Sequence, residues 1–240
     1  MRKFAVLPLF IVFCALLFMT SSAVARSKPS IGVAEFKNTS GAAWWRGGMG
    51  RDLAGMVTSE LASTGSFNVV ERNKLRHVLR EQDLGASGRI RSGTAARIGK
   101  LTGAKYLVLG TVTSYEESVS GTGGGISLFG VSLGGKKEKA YIAVDLRVVD
   151  TTTGEIKFAR TIEANSSGGG LNVGINISGV GAHLGGFEKT PAGKAVRACV
   201  VEIVDYLDCV MIKKDSCIDE FNAKEHRRRE KTKSAITLDE

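Results

Sequence analysis

Few side chains in this chain have the type and spacing that catalysis or metal binding requires. The three histidines, His77, His183 and His226, are remote from one another and from the cysteines. No spacing typical of metal ligands is present. We therefore expect the histidines to be structural or surface residues, and we expect no bound metal.

The cysteines favour one disulfide bond rather than a reactive site. Cys199 and Cys209 lie on one predicted helix, about 15 Å apart along its axis, which is too far for a bond. Cys209 and Cys217 can meet across the end of that helix. In an exported chain this pattern allows a Cys209–Cys217 disulfide and a buried Cys199 thiol.

The glycine-rich segments lack the residues of nucleotide-binding loops. Residues 121–125 (GTGGG) have no phosphate-loop lysine, and residues 47–50 (GGMG) lack both the Lys-Ser/Thr pair and the spacing of a dinucleotide fingerprint. The helix start at Arg51 could bind an anion through its free amides. No Ser/His/Asp set or carboxylate pair stands out, so we expect a protein that is not an enzyme and uses no cofactor.

Two uncharged glycine-rich tracts, residues 121–135 and 168–186, dominate the second half of the chain. In the second tract apolar residues alternate with polar ones, which is the period-two pattern of a strand with one apolar face. Three structures fit: lipid-facing β-hairpins that close into a barrel on oligomerisation, β-arms that pack on a neighbouring subunit, or loops with little order. The candidate membrane-facing residues are Ile126, Leu128, Val131, Leu133, Leu171, Val173, Ile175 and Ile177.

The amino terminus predicts export. Two basic residues precede an apolar run over residues 4–19, and Ala23-Val24-Ala25 is a small-x-small cleavage site. The run is short for a membrane span, although an uncleaved anchor is the rival interpretation. We predict a signal peptide over residues 1–25.

The basic composition does not indicate a nucleic-acid partner. The net charge is +9, but the positive residues are dispersed and no run of Lys and Arg is interleaved with aromatic residues. The one dense cluster, at residues 227–229, lies in a charged tail, residues 218–240, whose six basic residues are matched by six acidic ones. Such a balance is typical of a solvated helix, so we expect no nucleic acid among the partners.

Hydrophobic periodicity predicts an α/β fold with a mixed sheet flanked by helices over residues 26–217. The first half of the chain predicts strands over residues 30–36, 67–70 and 105–114 and helices over residues 51–63 and 94–102. It also predicts a further helix capped by Asn73. The residues that share one face of this helix are Leu75, Val78, Leu79 and Gln82. A polar loop over residues 37–50 contains Trp44, Trp45 and Arg46.

The second half predicts a strand pair, two hairpin extensions and a covering helix. The strands are residues 140–149 and 155–164, joined by a turn that ends in Gly154. The glycine tracts extend them as β-hairpins at about residues 115–143 and 160–188. Thr190-Pro191 is a cap and first-turn signal for a helix that places on one stripe Val196, Cys199, Val200, Ile203, Val204, Leu207 and Val210.

Several of these segments resemble a known family. The chain resembles the CsgG-like family of curli production assembly/transport components in five segments. They are residues 145–156 (DLRVVDTTTGEI), 67–72 (FNVVER), 104–112 (AKYLVLGTV), 31–38 and 74–82. The resemblance covers nearly the whole mature chain. The α/β part also resembles the amino-terminal domain of TolB, so this fold alone does not determine function.

The resemblance implies an outer-membrane secretion channel for curli-like fibre subunits or other peptides. In such a channel each subunit of a ring contributes two β-hairpins to one shared barrel, and the glycine tracts stand where those hairpins would be. The loop over residues 37–50 stands where the family narrows its pore, which makes Trp44, Trp45 and Arg46 candidate pore-lining residues. The implied partners are further copies of the chain in a homo-oligomeric ring, a secreted peptide and the outer membrane.

Two features depart from the family pattern. The loop lacks the Tyr and the Asn-Phe pair of the family's pore loop, and Trp44 and Trp45 could instead pack on the domain's own first helix. The family is commonly lipidated, whereas Cys14 follows the bulky Phe13. These departures keep a second function open, namely a periplasmic envelope scaffold of the same fold that does not span the membrane.

Overall fold

The structure is a computed structural model, and it describes residues 27–91, 93–121, 127–128, 131–132, 136–167 and 190–235. Its strands are β1 (Ser30–Val33), β2 (Lys37–Asn38), β3 (Asn68–Val69), β4 (Tyr106–Gly121), β5 (Ser127–Leu128), β6 (Val131–Ser132), β7 (Lys136–Asp150) and β8 (Ile156–Ser167). Its helices are α1 (Met49–Thr64), α2 (Leu75–Ala86), α3 (Pro191–Asp208) and α4 (Cys217–Ser234), and a π-helical turn (Cys209–Lys213) continues α3.

The main sheet is mixed and runs in the order β3-β1-β4-β7-β8, with β2 beside β4. β1 is parallel to β3 and to β4, which requires the crossover connections that contain α1 and α2. β4–β7 and β7–β8 are antiparallel, and a tight turn links the second pair, with Gly154 at a φ of 75°. This arrangement confirms the α/β fold with a mixed sheet flanked by helices.

The core lies between one face of the sheet and the helices α1 and α3. Every second residue of β7 from Ile142 to Val148 is at most 1% exposed. Burial of each such side chain contributes about 1.5 to 3 kcal/mol relative to exposure. The predicted α3 stripe is buried at all its positions except Val210, which is partly exposed. The Thr190 side chain accepts a hydrogen bond from the Gly193 amide at 3.0 Å, so it caps α3 as predicted.

The predicted helix over residues 94–102 is wrong. The described residues of this segment form turns, and Gly93 and Gly99 have φ values of 87° and 77°. Because a left-handed residue interrupts the right-handed helical ladder, glycine at these two places ends any helix between them after a single turn.

The predicted Asn73 cap is also wrong. Lys74 occupies the N-cap position of α2, and its amide donates to Glu71 Oε1 at 2.9 Å without a side-chain cap. The shared face is only partly buried, because Gln82 is enclosed whereas Val78 and Leu79 are exposed. The spacing of apolar residues therefore predicted the helix, but it did not predict which of its side chains are buried.

The strands β4 and β7 form one long hairpin that continues past the helices. Their pairing runs from Tyr106–Asp150 to Gly121–Lys136, and one extra residue, Thr113, forms a bulge. Farther along the same tract, Leu128 pairs with Val131 between β5 and β6. The other candidate membrane-facing residues lie outside the described residues: Ile126, Leu133, Leu171, Val173, Ile175 and Ile177.

Candidate functional site at the base of the long hairpin

The loop that contains the two tryptophans is tied to β4. The Thr39 amide donates to the Val112 carbonyl at 2.9 Å. Asn38 Oδ1 accepts from the Ser40 amide at 3.0 Å and from its hydroxyl at 2.7 Å, which forms a compact Asx turn. The loop is thereby fixed beside the strand that leads into the hairpin.

Close packing around Phe36 fixes the two ends of this loop. The Phe36 amide donates to the Gly50 carbonyl at 3.1 Å. A Cβ at Gly50 would lie 2.2 Å from the Phe36 carbonyl oxygen, and a Cβ at Gly110 would lie 2.2 Å from the Phe36 ring. Only glycine fits at either position, because real Cβ contacts are never this short.

The β4 bulge brings a tyrosine to this loop. Val112 pairs with Val144 on the helix-covered face, and beyond Thr113 it is Tyr115 that pairs with Ile142 on that face. Without the extra residue, strand alternation would place Tyr115 on the opposite face. Tyr115 is not among the candidate residues predicted from the sequence, because a single-residue bulge leaves no signal in a strand rich in Thr, Ser and Tyr.

Trp44, Trp45 and Tyr115 form an aromatic cluster. The ring centroids of Trp44 and Trp45 are 5.5 Å apart, and the Trp44 and Tyr115 rings meet edge to face at 5.3 Å. Both tryptophans are half-buried against the core, whereas Arg46 is exposed. The Tyr115 hydroxyl donates to Glu117 Oε2 at 2.9 Å. The cluster stands at the base of the hairpin with one side against the domain and one side accessible.

A polar cleft of about 190 Å³ lies between β8 and α4, on another side of the domain. Arg160 donates to Asn222 Oδ1 at 3.0 Å and to the Phe221 carbonyl. Arg228 donates to both Glu225 oxygens, at 2.7 and 3.0 Å, and this hydrogen bonding lowers the pKa of Glu225. Because Arg160 of β8 donates to two groups of α4 and Arg228 is paired with Glu225 within α4, we interpret the cleft as the contact that holds α4 to the edge of the sheet.

The cysteines have structural positions. Cys209 and Cys217 are joined by a disulfide with their Cα atoms 6.0 Å apart, so the pair named from the sequence is the pair bonded in the structure. Cys199 is buried in α3, and burial, with a smaller contribution from Glu202, raises the pKa of its thiol to about 12. A thiol with such a pKa is a poor nucleophile.

The described part of the chain contains no cluster of three His, Cys, Asp or Glu residues placed to hold a metal ion. Among the helices of the described ranges, none combines the length and the apolar composition needed to span a bilayer.

These features define a class of protein: an α/β domain with a mixed sheet whose central strands leave the domain as a hairpin, next to an aromatic loop. The model of the family described as "Curli production assembly/transport component CsgG" matches residues 15–236. The chain belongs to this family.

Individual relatives match over shorter lengths. A protein of Neisseria meningitidis serogroup B named as a lipoprotein is 29% identical over 159 residues, which are 66% of this chain and 63% of that protein. The curli production assembly/transport component CsgG of Escherichia coli K12 is 30% identical over 105 residues, 42% of this chain and 38% of that protein. The chain thus spans less than two thirds of the length of either relative.

A solved structure of a hypothetical protein from Chlamydia trachomatis is also similar. Its identity to this chain is 12% and its TM-score is 0.45, over 78% of this chain and 99% of that one.

Proposed function

We propose that this protein is an exported, ring-forming component of the outer membrane that passes a curli-like fibre subunit or another peptide out of the cell. The observation that carries the proposal is the ribbon of β4 and β7, which stays paired as far as Gly121 and Lys136, where the chain enters the uncharged tract. Membership of the CsgG family supports the same function.

The ends of the second tract are consistent with a second hairpin beside the first. Ser167 pairs with Lys139, and the buried Ser166 hydroxyl donates to the Pro191 carbonyl at 2.5 Å. The chain therefore leaves β8 and enters α3 at the same point. A hairpin of residues 168–189 with a two-residue turn would have about ten residues in each arm, the length of a tilted transmembrane strand.

The charges on the returning arm of the first hairpin limit where that hairpin can sit. Residues 136–139 (KKEK) pair with residues 118–121. Because the lipid face of a barrel excludes charge and its interior is polar, these residues would line the lumen or lie at the rim. The uncharged part of the hairpin beyond them would cross the bilayer.

Matched substitutions on opposite faces of one predicted strand test the proposal. Val173→Lys would place a charge against lipid, at a cost of about 2 to 4 kcal/mol per subunit near the midplane. We expect it to deplete the mature protein from the outer-membrane fraction, whereas Asn172→Lys, on the alternate face, should leave that fraction unchanged. Equal assembly of both variants would contradict a lipid-facing strand.

One observation favours a second function, a periplasmic scaffold that never crosses the membrane. Trp44 and Trp45 pack partly against their own domain rather than projecting freely from it. Fractionation distinguishes the two functions, because a scaffold would be recovered as soluble periplasmic protein, whereas a channel would need detergent for extraction.

A further inference from the structure

Helix α2 has an apolar face that its own domain leaves uncovered. Leu79 is 43% exposed, and Ile98, in the turns that follow, is 64% exposed. Val78 and Leu101 are also exposed. Within the part of the chain that the structure describes, α2 packs closely on no other helix or strand. An amphipathic helix of this kind normally buries its apolar stripe, so this face is suited to an interface.

The same surface is strongly basic. Residues 75–101 contain six Lys and Arg residues and two Asp and Glu residues. Among the described side chains, no carboxylate lies within ion-pair distance of Arg76 or Arg80. The guanidinium of Arg80 instead contacts His77 Nδ1 at 3.0 Å. We call α2 and the turns up to residue 101 the basic surface.

An acidic counterpart lies around the end of α3. Residues 201–220 contain six Asp and Glu residues and two Lys residues. The side chain of Asp205 reaches the surface, and the burial of part of its carboxyl group, followed by the neighbouring Glu202 carboxylate, raises its pKa. Met211 and Ile212 are partly exposed beside these carboxylates. We call residues 201–220 the acidic surface.

The two surfaces are connected to opposite edges of the sheet. β3 is one edge strand, and α2 follows it in the chain after a short connection. β8 is the other edge strand, and α3 packs on β7 and β8. A contact between two different surfaces of one chain is heterologous, and repeated copies of such a contact close into a ring when the rotation allows.

We infer that the basic surface of one copy of this chain docks on the acidic surface of the next copy. Each surface combines exposed or partly exposed apolar residues with a net charge opposite to that of the other surface, and the charge difference selects a head-to-tail orientation over a symmetric pair. The inference rests on the proposed ring and identifies the surfaces that hold it together.

A charge-swap experiment on the mature full-length chain tests this pairing, with particle mass measured in detergent by light scattering. One variant carries Arg76→Glu with Arg80→Glu, and the other carries Asp205→Arg with Asp219→Arg. Each alone should fall to the monomer mass, because the altered surface then holds as many acidic as basic residues and no longer attracts the other surface. A variant that carries all four substitutions should regain the wild-type mass in a ring of any size, because the reversed positions of one surface again meet opposite charges on the other.

A control variant, Arg227→Glu with Lys231→Glu, makes the same charge change on α4 outside both surfaces and should keep the wild-type mass. Far-UV circular dichroism of each variant checks folding. Wild-type mass for either two-site variant, or a monomer mass for a folded four-site variant, would overturn the inference. A wild-type chain that is itself monomeric would instead contradict the proposed ring, so the two failures are distinguishable.

Discussion

At the scale of single residues, the extra residue Thr113 decides which side chains meet at the base of the hairpin. It shifts the alternation of β4 so that Tyr115 joins Val112 on the helix-covered face, within reach of Trp44. Without this shift the tryptophans would have no aromatic partner from β4. The cluster therefore links the loop to the strand that leads away from the domain.

The first prediction concerns this cluster. Trp44→Ala should lower the free energy of unfolding by roughly 2 kcal/mol, which is half the cost of removing a fully buried tryptophan. Tyr115→Phe keeps the ring contact and loses only an exposed hydrogen bond to Glu117, so it should change stability by less than about 0.5 kcal/mol.

Thermal unfolding followed by far-UV circular dichroism measures both variants. If the tryptophans also line a pore, Trp44→Ala with Trp45→Ala will alter the conductance of the reconstituted protein. A stable double variant with altered conductance would show that they are not part of the core.

A second prediction uses two glycines of the same domain. Gly110→Ala would place a Cβ 2.2 Å from the Phe36 ring, so we expect a loss of about 1 to 3 kcal/mol from overpacking. Gly55, inside α1, has nothing within 4 Å of such a Cβ. Gly55→Ala should therefore stabilise the protein, by up to about 1 kcal/mol. Equal melting temperatures for the two variants would refute the packing around Phe36.

At the scale of elements, the sequence predicted what local signals determine. The Thr190-Pro191 start of α3, its apolar stripe and the strand pair joined at Gly154 were all confirmed, because capping and periodicity are properties of neighbouring residues. Of the aromatic cluster, only Trp44 and Trp45 were named from the sequence. Tyr115 joins them because of the bulge in β4, and that bulge depends on pairing between strands that are distant in the chain.

The two incorrect predictions have the same origin. Asn73 and residues 94–102 carry helix-like signals, yet Glu71 binds the amide at the start of α2, and Gly93 and Gly99 take left-handed conformations. Residue propensities alone cannot decide between the predicted and the observed structure at either place, because both structures are locally acceptable.

The third prediction concerns α4, which the disulfide and Arg160 hold to the domain. Cys209 and Cys217 are eight residues apart, so opening the bond should cost about 2.5 kcal/mol by loop entropy. We expect Cys209→Ser with Cys217→Ser to speed amide hydrogen exchange in α4 while the protection of β7 changes little.

The control for this experiment is reductant. Treatment of the wild type should reproduce the faster exchange in α4, and treatment of the double variant should add nothing further. Uniform loss of protection across β7 and α4 would instead mean that the disulfide stabilises the whole domain.

At the scale of the whole molecule, three strands approach the glycine tracts at one end of the sheet. β4 ends at Gly121, β7 begins at Lys136, and β8 ends at Ser167, opposite Lys139. The chain therefore enters both tracts at the same end of the domain, as two hairpins of a shared barrel would require. The basic and acidic surfaces lie on the sides of the domain, where neighbours in a ring would meet.

Electron microscopy of the detergent-extracted wild-type particle tests the central claim most directly. We expect a ring of subunits around a central opening, with one layer formed by the α/β domains and a second, barrel-shaped layer formed by the glycine tracts. A population of single, closed α/β domains without an opening would contradict the channel.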